Sequence, residues 1–257
     1  MSLNERQEQI IEELRTIGKV DVETLAARFT VTAQTVRRDL GELCDRGLAS
    51  RIHGGARRLV STSSIGYEDR RLFNIDGKEK VGRIAAGLIP NECSLILNIG
   101  TTTEQVAHAL TQHSGLVVIS NNINVIQILR DSKLRDLVIV GGGVRRSDGA
   151  IVGDDAVEFI AKYKVDYAVI GASSIDVDGS ILDFDSREVA VSRTILKNAR
   201  TSILVADQSK FERNAPVRIC NLSELDYVIL DGEPPEEFLE AAKSCGTRVV
   251  TGETSGV

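Results

Sequence analysis

The chain has 257 residues, 42% of them apolar and 26% charged, which suits one large folded domain or two smaller ones and excludes wholesale disorder. Its net charge of −6, taken whole, argues against a nucleic-acid binder, because phosphate-binding domains are usually basic. No apolar run reaches the length of a membrane-spanning helix and the N-terminus lacks a signal-peptide layout, so a cytoplasmic protein is expected.

Cys44, Cys93, Cys220 and Cys245 are far apart, and His53, His108 and His113 do not cluster with them. No metal site, disulfide framework or cofactor is expected. Tryptophan is absent and aromatics are 4%, which disfavours single-strand binding by base stacking.

In chain order, Glu5 to Ile17 carries Ile10, Ile11, Leu14 and Ile17 as a helical stripe, ended by Gly18. Asp21 is placed to cap a second helix over residues 22–29. Thr32 is placed to cap a third over residues 33–47, closed by Gly47. On that helix Val36, Leu40 and Leu43 share the inner side. Gln34, Arg38 and Gly41 face outward, with Arg37 flanking. Residues 48–52 then read as a strand, His53-Gly54-Gly55 as a tight turn, and Arg57-Arg58 as a basic end.

This pattern predicts a winged helix-turn-helix over residues 1–58. Thr32, Ala33, Gln34 and Thr35, with Arg37 and Arg38, would approach base edges in the major groove of double-stranded DNA. Arg51, His53, Gly54 and Gly55 would support backbone contacts from the wing. The same helices could also serve as a protein-interaction module with a solvated charged face. Local charge favours DNA: residues 28–60 hold seven arginines against three acids, a net of +4, whereas residues 1–27 sum to −3.

The stretch LVSTSSIG over residues 59–66 is uncharged and serine-rich, and marks a linker taken as residues 59–75. Beyond it, residues 76–257 alternate Val/Ile/Leu-rich runs with amphipathic stretches. The fold class is α/β, with a largely parallel sheet and its ligand at strand ends.

Four clusters close those strands. Gly100-Thr101-Thr102-Thr103 could cradle an anion at a helix N-terminus, or simply start the helix. Ser120-Asn121-Asn122 could bond polyol hydroxyls or cap the next helix. Gly141, Gly142 and Arg145 could meet a carboxylate or phosphate, or form a flexible turn. Lys210, in Ala206-Asp207-Gln208-Ser209-Lys210-Phe211, adds a cation that alone means little. Together they suit a small phosphorylated polyol.

Two sets of residues resemble a known family. Val31-Thr32-Ala33-Gln34-Thr35-Val36-Arg37-Arg38-Asp39-Leu40 with Arg51-Ile52-His53-Gly54-Gly55-Ala56 is similar to the DNA-binding signature of DeoR-type bacterial transcription regulators. Gly41 departs from it, since the family usually has a longer polar residue there. IGTTT, SNN, GGxxR and ADxSKF look like the sensor domain of the same regulators. The resemblance implies a sensor fold like that of ribose-5-phosphate isomerases, a sugar-phosphate effector and a repressor acting as a homo-oligomer, dimer or tetramer. IGTTTEQVAHAL and the run through VDYAVIGASSIDVDGSILDFD resemble a subgroup whose effector is sn-glycerol 3-phosphate.

The isomerase likeness also raises catalysis. Aldose–ketose isomerisation needs a carboxylate base. Where the isomerases carry acids, this chain reads Ile170-Gly171-Ala172-Ser173-Ser174. Asp183, Asp185 and Glu188 lie near. These three are expected to accept hydrogen bonds from ligand hydroxyls, Asp183 and Glu188 above all, or to cap the helix after Ser186, and the missing acids mean that no enzyme is expected.

Overall fold

Asn4 opens helix α1 (Glu5–Ile17) with a capping box, its side chain accepting from Gln7 N–H while the Gln7 side chain accepts from Asn4 N–H. Gly18 ends the helix at a φ of +85°. Strand β1 (Lys19–Asp21) follows, and the Asp21 carboxylate caps α2 (Val22–Phe29). Thr32 caps α3 (Ala33–Asp45), its Oγ1 accepting from Thr35 N–H at 3.2 Å. β2 (Ala49–Ile52) and β3 (Gly55–Arg58) make an antiparallel hairpin, and β1 pairs with the far edge of β3. Ile10, Leu14, Leu25, Val36, Leu40 and Leu43 fill the core between them. β1 was not legible in the sequence because three residues are too few to show alternation.

This computed structural model describes residues 3–46, 48–52, 54–58 and 66–252. Gly47, His53 and linker residues 59–65 lie outside the described residues. Two units divide between Ile65 and Gly66. Residues 66–75, expected as linker, belong to the second unit and are mostly helical, in α4 (Tyr67–Leu72) and the start of α5 (Ile75–Leu88). The reason is local: Tyr67 and Lys78 find partners in that unit.

The second unit continues with β4 (Ser94–Leu97), α6 (Thr101–Leu110), β5 (Val117–Ser120), α7 (Ile123–Leu129) and β6 (Asp136–Ile139). A two-residue hairpin follows, β7 (Val144–Arg145) and β8 (Ala150–Ile151), then α8 (Asp154–Ile160) and β9 (Val165–Ile170). β10 (Ser174–Ile175), β11 (Ser180–Asp183), α9 (Ser186–Lys197), β12 (Ala199–Ala206) and β13 (Val217–Asn221) come next. β14 (Tyr227–Leu230), α10 (Glu236–Cys245) and β15 (Arg248–Thr251) complete it.

Seven of the Val/Ile/Leu-rich runs form one parallel sheet, ordered β15-β14-β12-β9-β4-β5-β6. Alternate side chains serve opposite faces. Ile96, Ile119, Ile170 and Leu204 pack with α8 and α9, through residues such as Ile160 and Ile195. Leu95, Leu97, Val118 and Ile203 pack with α5 and α6, through Val81, Ala85, Val106 and Leu110. A small antiparallel sheet, β10-β11-β13, stands apart from this one. Its two- to five-residue strands gave no periodic signal.

The strand order decides where a ligand can sit. From β4 the chain steps outward to β5 and β6, then returns to the other side of β4 with β9. A crevice opens outside the carboxyl ends of neighbouring strands at such a reversal. Gly100 follows β4 and Gly171 follows β9, and a Cβ on Gly171 would lie 3.7 Å from Ile99 O. The two loops therefore face each other across the switch point.

Candidate functional site

The candidate DNA-facing surface is built from α3 and the hairpin β2–β3. Burial of Val36, Leu40 and Leu43 turns Gln34, Arg37 and Arg38 outward, and the Arg38 side chain is 82% exposed. Thr32 Oγ1 is 2.9 Å from Thr35 Oγ1, so the two hydroxyls fix the start of the helix, and Ala33 is half-buried beside them. Arg37 pairs with Glu23 at 3.4 Å and Arg38 with Glu42 at 3.3 Å. Exposed pairs of this kind are weak and readily exchanged for phosphate. Arg51 is exposed on β2, and a Cβ on Gly41 would lie 3.3 Å from its Nη2. Gly41 thus leaves room for Arg51 beside the helix, where a longer residue would crowd it.

Arg37, Leu40, Arg51, Gly54 and Gly55 line one groove of about 240 Å³. Its framework is rigid. Arg6 Nε donates to the buried Asp39 carboxylate at 2.6 Å, and Gln7 donates to Glu42 at 2.8 Å. These bonds hold α3 against α1.

In the second unit the helix α6 begins at Gly100, whose φ is +140° and whose missing side chain provides no cap. The first backbone N–H groups of α6 are left for an outside acceptor. Thr103 Oγ1 donates to Gly100 O at 2.7 Å, and Thr101, Thr102 and Thr103 are buried. Of the two readings of this motif, the uncapped start fits anion binding.

Ser120, Asn121 and Asn122 are buried and engaged with the framework. Ser120 Oγ donates to Leu97 O at 2.8 Å, and Asn121 Nδ2 to Ile151 O at 3.1 Å. Asn122 caps α7 and donates to Glu104 at 3.1 Å. Buried polar groups require such partners. These bonds join strand ends, and of the three side chains Asn121 has its Oδ1 buried without a partner.

Arg145 is likewise occupied. Its guanidinium donates to Asp148 at 2.7 and 2.8 Å, to Glu188 at 2.7 Å and to Asp185 at 3.0 Å. Burial opposes the charged form, but Asp148 and Glu188 outweigh it and keep Arg145 firmly ionised. Glu188 is pushed up to about 7, by burial first and by the neighbouring Asp183 second, against the pull of Arg145. The buried Asp183 accepts from Phe184 N–H at 2.6 Å. Gly142, at a φ of +140°, sits near Ile151 and is exposed. Arg145 therefore organises three carboxylates, with four of its five N–H donors engaged.

A second group of cations lies near Asp207. Lys210, half-buried after β12, has its pKa pushed down to about 7. Burial is the main cause, offset by Asp207 and reinforced by Arg213, Lys78 and Arg70. Lys78, 3% exposed, is lowered to about 8 by burial, with the same aspartate opposing and Arg213 and Arg70 adding to the shift. Lys210, Lys78 and Arg213 thus favour the ionised form of Asp207, which is itself 1% exposed with Oδ2 unpartnered, and Arg70 adds a further positive charge near both lysines. An enclosed excess of positive charge favours an anionic ligand.

Of these only Lys210 was picked out from the sequence. Lys78 did carry a signal: it shares a helical face with Val81 and Ala85, where a lysine needs a reason to be buried. Arg70 carried none. Glu104 was missed too; buried in the first turn of α6, it accepts from Tyr67, Asn122 and Asn124.

Comparison with known proteins agrees with this architecture. Residues 6–62 match the DeoR-like helix-turn-helix domain, and residues 73–232 the DeoR C terminal sensor domain. The chain is 40% identical over 240 residues to the glycerol-3-phosphate regulon repressor of Escherichia coli (strain K12), covering 93% of this chain and 95% of that protein. Its identity to the glycerol-3-phosphate regulon repressor of Haemophilus influenzae is also 40%, over 95% of each. Ribose 5-phosphate isomerase A of Methanocaldococcus jannaschii aligns at 17% identity and a TM-score of 0.40, over 53% of this chain and 54% of that one, a likeness too low to carry an argument. A helix-turn-helix unit followed by an α/β sensor unit, matched along nearly its whole length, places this chain in the DeoR family of transcriptional regulators.

Proposed function

We propose that the chain represses transcription from an operator and lets go of it when a small phosphorylated polyol, sn-glycerol 3-phosphate, binds the sensor unit. The observation that carries the effector reading is the group of Lys78, Lys210 and Arg213 acting on Asp207, with Arg70 near both lysines. The uncapped N-terminus of α6 adds donors for the same anion. The names of the two 40%-identical relatives support glycerol 3-phosphate over other sugar phosphates. Catalysis is no part of the role: Ser173 and Ser174 stand where an isomerase needs acids, and the buried Ser174 hydroxyl donates to Arg213 O.

Gln34, Arg37 and Arg38 read the major groove, while Arg51 and the wing meet phosphates. His53 keeps its expected role in this reading, although it lies outside the described residues. With a net of only +4 on residues 28–60, one subunit binds weakly, and useful affinity comes from a homodimer or tetramer on paired half-sites. Effector releases DNA only through its affinity difference between two states.

Arg38→Ala is expected to weaken operator binding by about 1–3 kcal/mol per subunit, and to lower the salt slope by about 1 if the contact is to phosphate. Fluorescence anisotropy across a salt series measures both. Unchanged affinity and slope in both Arg38→Ala and Arg37→Ala would remove α3 from the interface.

Gel-shift titration of the DNA upstream of the gene, with a panel of sugar and glycerol phosphates, tests the effector. Release by glycerol 3-phosphate at the lowest concentration is expected. Release by fructose 1-phosphate alone would keep the repressor and change its ligand. The pH dependence is specific. Above about pH 7 Lys210 must take up a proton to meet the phosphate, so affinity falls as pH rises, by up to about tenfold per unit. Below about pH 6 the phosphate monoester loses its second charge. Affinity should therefore peak between about pH 6 and 7.

A further inference from the structure

Helix α4 is the first described element after the linker, so chain continuity ties it to the DNA-binding unit. It is nevertheless built into the sensor site. Tyr67 Oη donates to the buried Glu104 carboxylate, lying 2.8 and 2.9 Å from its oxygens, and accepts from Asn124 at 2.8 Å. Lys78 Nζ donates to Arg70 O and, at 2.6 Å, to Phe73 O, which pins the C-terminal end of α4. The Arg213 guanidinium lies 6.0 Å from the centre of the Phe73 ring.

Arg70 itself is under-used. Its Nε is buried with no hydrogen-bond partner, and its Nη2 reaches Asp148 at only 3.5 Å. Asp148 does not depend on it, because Arg145 already holds both carboxylate oxygens at 2.7 and 2.8 Å. A guanidinium with a spare buried donor, beside an enclosed cluster of cations, lacks an acceptor of negative charge. A phosphate offers three acceptor oxygens, enough to meet Lys210 on one side and Arg70 on the other.

We propose that Arg70 contacts the anionic group of the bound effector and closes a bridge between α4 and Lys210, so that α4 is the element through which occupancy reaches the linker. The proposal rests on the phosphate reading above. Arg70 acts on the ligand, and Tyr67 acts only on the position of α4. The two residues therefore separate binding from coupling.

The test uses the full chain. Glycerol 3-phosphate binding is measured by calorimetry without DNA, and operator affinity is measured with and without glycerol 3-phosphate. Arg70→Met is expected to weaken binding at least tenfold, with Arg70→Lys between it and wild type. Tyr67→Phe is expected to bind within about twofold of wild type. Its ratio of operator affinities, without and with effector, should fall at least threefold. If Arg70 only supports Asp148, Arg70→Met would lower the melting temperature of the unliganded protein and leave glycerol 3-phosphate affinity intact. That result overturns the contact. Wild-type coupling in Tyr67→Phe overturns the role of α4. If the wild-type chain binds neither glycerol 3-phosphate nor any other sugar phosphate, the effector reading fails and this proposal fails with it.

Discussion

Arg145→Met should destabilise the sensor unit by about 3 kcal/mol, more than any other side-chain truncation at the site. Arg145 is the shared partner of Asp148, Asp185 and Glu188, and its side chain is only 21% exposed. Methionine keeps the apolar stem and removes the charge, leaving three carboxylates close together. Arg187 still serves Asp185 at 2.7 Å, and Arg70 reaches Asp148 only at 3.5 Å. Glu188 loses its Arg145 partner and has Asp183 beside it. At roughly 2–4 °C per kcal/mol for a unit of this size, the melting temperature should fall by roughly 10 °C.

The loss should depend on pH with a definite sign. The pKa of Glu188 is raised in the folded state, from 4.5 to about 7. A raised pKa contributes stability below the unfolded value, and that contribution is lost as pH rises through the folded one. In wild type this makes Glu188 a source of falling stability between about pH 4.5 and 7. In Arg145→Met the slope should steepen, because Arg145 no longer favours the ionised form. The substitution should therefore cost less at pH 5 than at pH 7.5. Melting both proteins across that range measures it, with Arg146→Met, exposed next door, as the control. A pH-independent loss equal to that of the control would mean that the carboxylates are not held by Arg145.

Gly55→Ala should destabilise the DNA-binding unit by about 3 kcal/mol, the upper part of the range for overpacking. A Cβ at Gly55 would lie 2.0 Å from Val20 O and 3.2 Å from Asp21 Cα. Both are backbone atoms of β1, paired in register with β3, so neither can swing aside as a flexible side chain would. The strand would have to separate, taking the wing with it. Operator binding should then be lost while glycerol 3-phosphate binding by the sensor unit is retained. Gly87→Ala is the matched control, since nothing lies within 4 Å of its added Cβ in α5, and it should stabilise by about 0.5–1 kcal/mol. Hydrogen exchange resolved by unit distinguishes the two. Unaltered protection of β1 and β3 in Gly55→Ala would show that the hairpin yields easily.

Much of this protein is written locally. The Asp21 and Thr32 caps and the stripe Val36, Leu40, Leu43 mark the helices, and seven β-rich runs mark the seven strands of the sheet. These signals depend on residues a few positions apart, so they survive in a one-dimensional reading. The uneven charge survives as well: residues 1–60 sum to +1 and the remainder to −7, so the overall −6 averages two units with different partners.

The composition of the proposed effector site does not survive in that way. Arg145 follows a Gly-rich turn, but only the fold brings Asp185 and Glu188, some 40 residues away, beside it to occupy two of its donors. Asn121 and Asn122 looked like hydroxyl binders, but burial compelled them to satisfy Ile151 O and Glu104. Arg70 fell in the expected linker, yet folding sets it and Lys78 near Lys210, more than 130 positions on. Whether a charged side chain is free to bind depends on which opposite charges the fold brings within hydrogen-bond reach, and that pairing is set by strand order across the sheet.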